Sequence, residues 1–153
     1  MDVEADEAKV HGSQTQQLTD VYNWTNLSGF TAHGGKQLFY HGTSDPWFSA
    51  LDTVDYYERL GRDNGGADKV MDFARLYLVP GMGHCGGGAA TLDRFDLLSP
   101  LVEWVEQGKA PQSVVATGPG LPGRSRPLCA WPEHAHYKGQ GDVNEAANFE
   151  CRR

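Results

Sequence analysis

Two ionisable residues stand apart by where they fall. An aspartate in HGTSDPWF and a histidine in PGMGHCGGG each follow a short apolar run and a turn of small residues. They are Asp45 and His84. A carboxylate can fix the tautomer of an imidazole and stabilise its cation, and an imidazole so held can relay a proton to and from a hydroxyl. Those are two of the three parts of an acyl-transfer site, for which one common chain order is nucleophile, acid, base. The nucleophile should then lie upstream of Asp45 on a sharp G-x-S-x-G turn, and the sequence contains no such pattern. The serines at positions 13, 28, 44, 49, 99, 113 and 125 each read as a loop, cap or linker residue. Ser44 lies beside Asp45, but no base neighbours it at short range.

The two residues depend on the elements that present them. GGKQLFYHG is a short apolar run between glycines and predicts a buried strand over 36–40; FARLYLVPG predicts another over 74–79, ended by proline and glycine. Between them, Ser49 followed three residues later by Asp52 is a helix-capping signature, and Leu51, Val54, Tyr57 and Leu60 recur at threes until Gly61. A second helix carries Phe95, Leu98, Leu101, Val102 and Val105 on one stripe, with Gly108 at its end and Pro111 beyond. Residues 113–116 read as a short strand. This order of strand, loop and helix, twice over, is that of a parallel sheet covered by helices. In such sheets ligands bind at the C-terminal strand ends, where Asp45 and His84 fall. LFY and LYLV lack alternation, as strands covered on both faces do, yet two parallel strands alone leave open edges. The expected class is α/β, parallel strands flanked by helices, with an incomplete sheet.

The rest of the chain divides by composition. Residues 1–17 hold two isolated valines among charged and amide side chains and predict a disordered tail. Residues 18–117 hold the partial α/β domain, and 118–153 a glycine- and proline-rich linker followed by a tail. VYNWTNLSGF contains sequons at Asn23 and Asn26, relevant only on a eukaryotic secretory route. In RPLCAWPEHAHYKGQGDVNEAANFEC little periodicity holds the chain, so a Cys129–Cys151 crosslink is expected to staple it. Cys85 is then left over, either pairing with a cysteine outside this chain or standing as a buried free thiol. Twenty acidic against 13 basic residues give a net charge of −7, and without a Lys/Arg cluster a nucleic-acid partner is not expected. No apolar run approaches the ~20 residues of a membrane span, so no membrane partner is expected either. The N-terminus is acidic and polar where a signal peptide needs basic and then apolar residues, so any signal is expected to lie outside this sequence.

Four blocks carry a family resemblance: GGKQLFYHGTSDPWFSALDTVDYYERLG, FARLYLVPGMGHCGGG, LVEWVEQGKAP and RPLCAWPEHAHYKGQGDVNEAANFEC. From about Asn26 to Cys151 the chain resembles the C-terminal part of the α/β-hydrolase domain of the tannase and feruloyl esterase family, which includes mono(hydroxyethyl) terephthalate hydrolases. The resemblance implies a serine carboxylic ester hydrolase acting on small esters of aromatic acids, with Asp45 as orienting acid and His84 as general base. It also implies that Cys85 is disulfide-bonded to a cysteine beside a serine on an upstream elbow, that Phe48 lies at the substrate pocket, and that Cys129 pairs with Cys151; from the residues themselves, Trp47 and Phe48 read either as a hydrophobic wall for an aromatic acyl group or as the cover of the next helix. The serine elbow, the oxyanion-hole amides and the family's calcium-containing lid have no counterpart in this sequence. The partner expected is therefore an upstream half of the same enzyme, and the isolated chain is expected not to turn over esters. No cofactor is expected in this chain, and calcium only in the lid. The disulfide reading implies a secreted or periplasmic location.

Plainer readings stand beside these. His41, in YHG, reads as a hydrogen-bonded structural imidazole. His84, Cys85, His134 and His136 are of metal-ligating type, but no compact C-x-x-C or H-E-x-x-H spacing supports a metal site, and none is expected. The glycines at 81, 83, 86, 87 and 88 read as slack in the histidine loop rather than as a phosphate cradle. The competing functional reading is a non-catalytic secreted binding module on a remnant hydrolase scaffold.

Overall fold

The structure, a computed structural model, describes residues 2–19 and 23–153. In chain order the helices are α1 (Val3–His11), α2 (Gln14–Thr19), α3 (Ser28–Ala32), α4 (Ala50–Asp63), α5 (Ala67–Val70) and α6 (Leu98–Gln107). The strands are β1 (Gln37–Gly42), β2 (Ala74–Val79), β3 (Ser113–Ala116), β4 (Arg126–Cys129), β5 (His134–Tyr137) and β6 (Phe149–Arg152). β1 and β2 pair in parallel from Gln37 opposite Ala74 to Gly42 opposite Val79. Both strands therefore end at one edge, and the loops that follow them leave side by side.

β2 divides the core. Ala74 and Leu76 pack with Val54, Tyr57 and Leu60 of α4 and with Val70 and Phe73. Tyr77 and Val79 belong to a second cluster with Met82, Leu92, Val114, Ala116, Leu128 and Ala130. That double cover is what the unalternating LYLV run requires. On its far side β2 meets Ala130 in an antiparallel bridge, and the Trp131 N–H donates to the Leu76 carbonyl at 2.8 Å. Among the described residues no strand pairs with the other edge of β1.

Several elements differ from the sequence reading. β1 runs two residues beyond 36–40, because its ladder with β2 continues through His41 and Gly42. α4 begins as expected, the Ser49 hydroxyl accepting from the Leu51 N–H at 3.1 Å, but continues through Gly61 to Asp63. Gly61 is buried inside the helix beside Ala67 and Val70 and does not end it. The tail is not periodless: β5 and β6 form an antiparallel hairpin, and β3 pairs with β4. Residues 1–17 were expected to be disordered, yet Val3–His11 and Gln14–Thr19 are helical with no buried residue. Local chemistry accounts for the first: Asp2 caps it through the Ala5 N–H, and Lys9 pairs with Asp6. Met1, at the head of that stretch, and Val21 and Tyr22, which open the sequon-bearing one, lie outside the described residues.

The largest difference is in α6. Of the expected stripe, Leu98, Val102 and Val105 are 70, 41 and 59% exposed, and the buried residue of the helix is Trp104. The Arg75 guanidinium lies 4.7 Å from the Trp104 ring and is held by the carbonyls of Met71, Ala74 and Pro111. Periodicity identified an apolar face but not which face meets the rest of the chain.

Cys129 and Cys151 are disulfide-bonded across 22 residues of sequence, joining β4 to β6. Closing a loop of this size stabilises a fold by about 3 kcal/mol in the chain-entropy model. The Cys129→Ser/Cys151→Ser variant should therefore unfold at a lower urea midpoint with a ΔG loss of about 3 kcal/mol; an unchanged midpoint would mean that the hairpin holds without its staple.

Candidate active site

The acid loop and the histidine loop are stitched together by backbone. The Thr43 N–H donates to the Val79 carbonyl at 3.0 Å, the Ser44 N–H to the Met82 carbonyl at 3.0 Å, and the Gly81 N–H to the Thr43 hydroxyl at 3.1 Å. Gly42 makes this approach possible. A Cβ there would lie 2.3 Å from the Met82 carbonyl oxygen and 2.5 Å from that of Gly83. Because those atoms are backbone, Gly42→Ala has to push the loops apart, an overpacking cost of about 1–3 kcal/mol. Urea melts should show that loss, and a variant as stable as its parent would deny the close approach.

Within this frame Asp45 and His84 meet. His84 Nδ1 donates to Asp45 Oδ2 at 2.8 Å. The other carboxylate oxygen, Oδ1, accepts from the backbone N–H groups of Trp47 at 2.9 Å and Phe48 at 3.2 Å. The Asp45 side chain is 4% exposed and that of His84 37%. Burial acts to raise the Asp45 pKa, but the Trp47 N–H, the His84 hydrogen bond, the Phe48 N–H and the His84 charge outweigh it, and the carboxyl moves from the ordinary 3.8 to about 2. A carboxyl lowered in the folded state stabilises the fold above its unfolded value. That contribution is complete above pH ~4 and is lost as the pH falls through about 2.

The tautomer of His84 follows. An ionised carboxylate only accepts, so the Nδ1 facing it carries the proton, and in the neutral imidazole Nε2 is left with its lone pair. Among the described residues no hydrogen bond occupies that Nε2, and no serine is hydrogen-bonded to His84. Ser44, the serine nearest Asp45 in sequence, is exposed and engages Met82 through its backbone.

His41 does more than its sequence reading assigned. Its Nδ1 is 2.7 Å from the Thr53 hydroxyl on α4, and its Nε2 is 3.2 Å from the Phe48 carbonyl and 3.5 Å from Asp45 Oδ2. Both neighbours of Nε2 only accept, so Nε2 is the protonated nitrogen and Nδ1 accepts from Thr53. The imidazole thus pins the acid loop to the first turns of α4 and holds a second N–H toward the carboxylate. The four-residue step from His41 to Asp45 was its only trace in the sequence.

Of the aromatic pair expected at the substrate, Trp47 has its ring centre 4.9 Å from that of His84 and Phe48 5.4 Å, both exposed. A cavity of about 840 Å³ opens here, lined by Tyr40, His41, Asp45, Phe48, His84 and Cys85 among others. Trp47 is not part of its lining. The volume falls within the ~300–1,000 Å³ of small-molecule sites, and its wall is aromatic with a few polar groups. Cys85 is a free, exposed thiol, not a buried one, and is the one non-glycine described with a positive φ, 61°. Such a conformation costs about 1–3 kcal/mol unless the surroundings impose it, and it is typical of functional loops. Among the described residues no group of three or more His, Cys, Asp or Glu is placed to hold a metal. No described helix is long and apolar enough to cross a membrane.

The family model described as tannase and feruloyl esterase matches residues 2–152. Mono(2-hydroxyethyl) terephthalate hydrolase of Piscinibacter sakaiensis is 50% identical over 161 residues, covering 98% of this chain and 26% of the relative. A probable feruloyl esterase of Arthroderma benhamiae is 34% identical over 159 residues, covering 97% of this chain and 29% of its own. The crystal structure of feruloyl esterase B from Aspergillus oryzae matches with a TM-score of 0.79 at 25% identity, covering 96% of this chain and 32% of that one. The chain thus spans between a quarter and a third of the length of these relatives, and its structural neighbours are esterases of α/β-hydrolase-like fold. By the family model over residues 2–152 and the half-identical relative, the chain belongs to the tannase and feruloyl esterase family.

Proposed function

We propose that this chain carries the acid and base of a serine carboxylic ester hydrolase acting on small esters of aromatic acids, and that the serine belongs to residues outside it. The observation that carries this reading is the 2.8 Å hydrogen bond from His84 to a carboxylate whose pKa is held at about 2, which leaves Nε2 free to take a proton. In the complete site, His84 Nε2 removes the serine proton as the hydroxyl attacks the ester carbonyl. The same imidazole then protonates the leaving alcohol and activates water against the acyl-enzyme. Asp45 holds the ring and stabilises its cation, while backbone amides outside this chain receive the oxyanion. Phe48, on the cavity wall, is proposed to contact the aromatic acyl group, and Trp47 to flank it.

Two surfaces support a partner half. The edge of β1 that no described strand pairs with offers a ladder to a further strand. The exposed stripe of Leu98, Val102 and Val105 offers α6 an apolar contact, and full burial of such side chains contributes roughly 1.5–3 kcal/mol each. Cys85, exposed beside His84 and aligned by resemblance with a bridging cysteine, is proposed to crosslink to the elbow that carries the serine. The Cys129–Cys151 bond supports an oxidising compartment, outside the cell or in the periplasm. Retention of the acid–base contact weighs against a non-catalytic binding module.

The test is a chimera in which this chain replaces the matching segment of the Piscinibacter sakaiensis hydrolase. The chimera should hydrolyse methyl ferulate, methyl gallate or a terephthalate monoester and form an acyl-enzyme visible by mass spectrometry. The 153-residue chain alone should do neither. A folded chimera that is inert toward all aromatic esters, or an acylated isolated chain, would refute the reading.

A further inference from the structure

We propose that His134 and His136 form a binding site for a divalent late transition-metal cation, Cu2+ foremost, on one face of the tail hairpin. The two residues are two apart on β5, so strand alternation places both side chains on the same face. Their ring centres are 4.4 Å apart while the Nε2 atoms close to 2.9 Å, so the rings converge at those nitrogens. Two nitrogens each about 2.0–2.1 Å from a single ion lie ~2.9 Å apart on adjacent corners of a square and ~3.4 Å apart on a tetrahedron. The observed spacing matches the square, the preference of Cu2+ and Ni2+, and Cu2+ binds imidazole most strongly among the divalent ions.

Without metal, one Nε2 carries a proton that it shares with the other. On binding, that proton moves through solvent to Nδ1 of its own ring, so both Nε2 lone pairs face the cation and no net proton is released. Across the hairpin, His136 faces Glu150 and His134 faces Arg152, and those two form an ion pair whose charges offset. The rim therefore adds little repulsion, and the chain's net charge of −7 favours a cation. With no group of three or more ligating side chains placed around a metal among the described residues, water completes the coordination. A search for C-x-x-C or H-E-x-x-H spacing passes over this pair, because H-x-H is the strand counterpart of the helical His–His step.

The test uses the full chain with Cys85→Ser, which removes the exposed thiol as a competing ligand. Titration with CuCl2 by calorimetry should give one Cu2+ per chain, and the electron paramagnetic resonance spectrum should show two equatorial imidazole nitrogens. His134→Gln and His136→Gln should each weaken binding by about tenfold or more, since each removes the second, intramolecular contact. Unchanged affinity in both variants, no binding, or a spectrum with a single nitrogen would overturn the proposal. The spectrum of the unmutated pair decides the matter even if a variant misfolds.

Discussion

Replacing His84 by glutamine in the active chimera should lower kcat about 10⁶-fold on a methyl ester of an aromatic acid. The size follows from the arrangement. With Nδ1 committed to Asp45, Nε2 is the one atom of the pair that can accept the serine proton. A glutamine of similar reach offers an amide that is no base, so the serine stays protonated and the leaving alcohol receives no proton. KM should change little, because the aromatic wall of the cavity is left in place. A loss below about 10²-fold would place the general base elsewhere. His41, the other imidazole at Asp45, is a poor substitute, because its Nε2 is turned to the Phe48 carbonyl and the carboxylate and its Nδ1 to Thr53.

Asp45→Asn should lower kcat about 10⁴-fold without unfolding the protein. The asparagine oxygen can keep the two backbone bonds from Trp47 and Phe48, so the turn survives. Its amide would then face His84 as a donor, which favours the tautomer with the proton on Nε2 and closes that atom to the serine. The positive charge that develops on the imidazole would also lose the ionised partner now held at a pKa of about 2. Kinetics at neutral pH, with a urea melt of the same preparation, separate this from instability. Near-normal turnover in a folded variant would remove Asp45 from the acid's role.

How much of this was legible beforehand varies by element. β1 and β2 could be read because each is a short apolar run closed by a turn, although β2 alone is covered on both faces and β1 leaves Tyr40 exposed, and their parallel pairing brings Asp45 to His84 from 39 residues away. α4 could be read from its cap and the spacing of Val54, Tyr57 and Leu60. For α6 the same spacing identified a stripe of which Leu98, Val102 and Val105 are exposed, while the buried ring, Trp104, is met by Lys36 and by Arg75, the latter 29 positions earlier and on a strand. β4, β5 and β6 escaped because they lie in a stretch rich in proline, glycine and charged residues with no apolar run to mark them, and are held by their pairing and by the disulfide that joins β4 to β6, whereas the equally short β3 was read from SVVA. The positioning role of His41 escaped because it depends on the path of a loop that curls back over its own strand end. Gly42 looks in the sequence like a strand boundary alone, although its lack of a side chain is what lets the two loops touch.

The tautomer of His84 in the full chain decides whether these loops hold an acid–base pair. Long-range proton–nitrogen NMR at neutral pH should find the proton on Nδ1, in a slowly exchanging, downfield position that disappears in Asp45→Asn, with Nε2 unprotonated. A proton on Nε2, or an imidazole spectrum that Asp45→Asn leaves untouched, would contradict the hydrogen bond on which the catalytic reading stands.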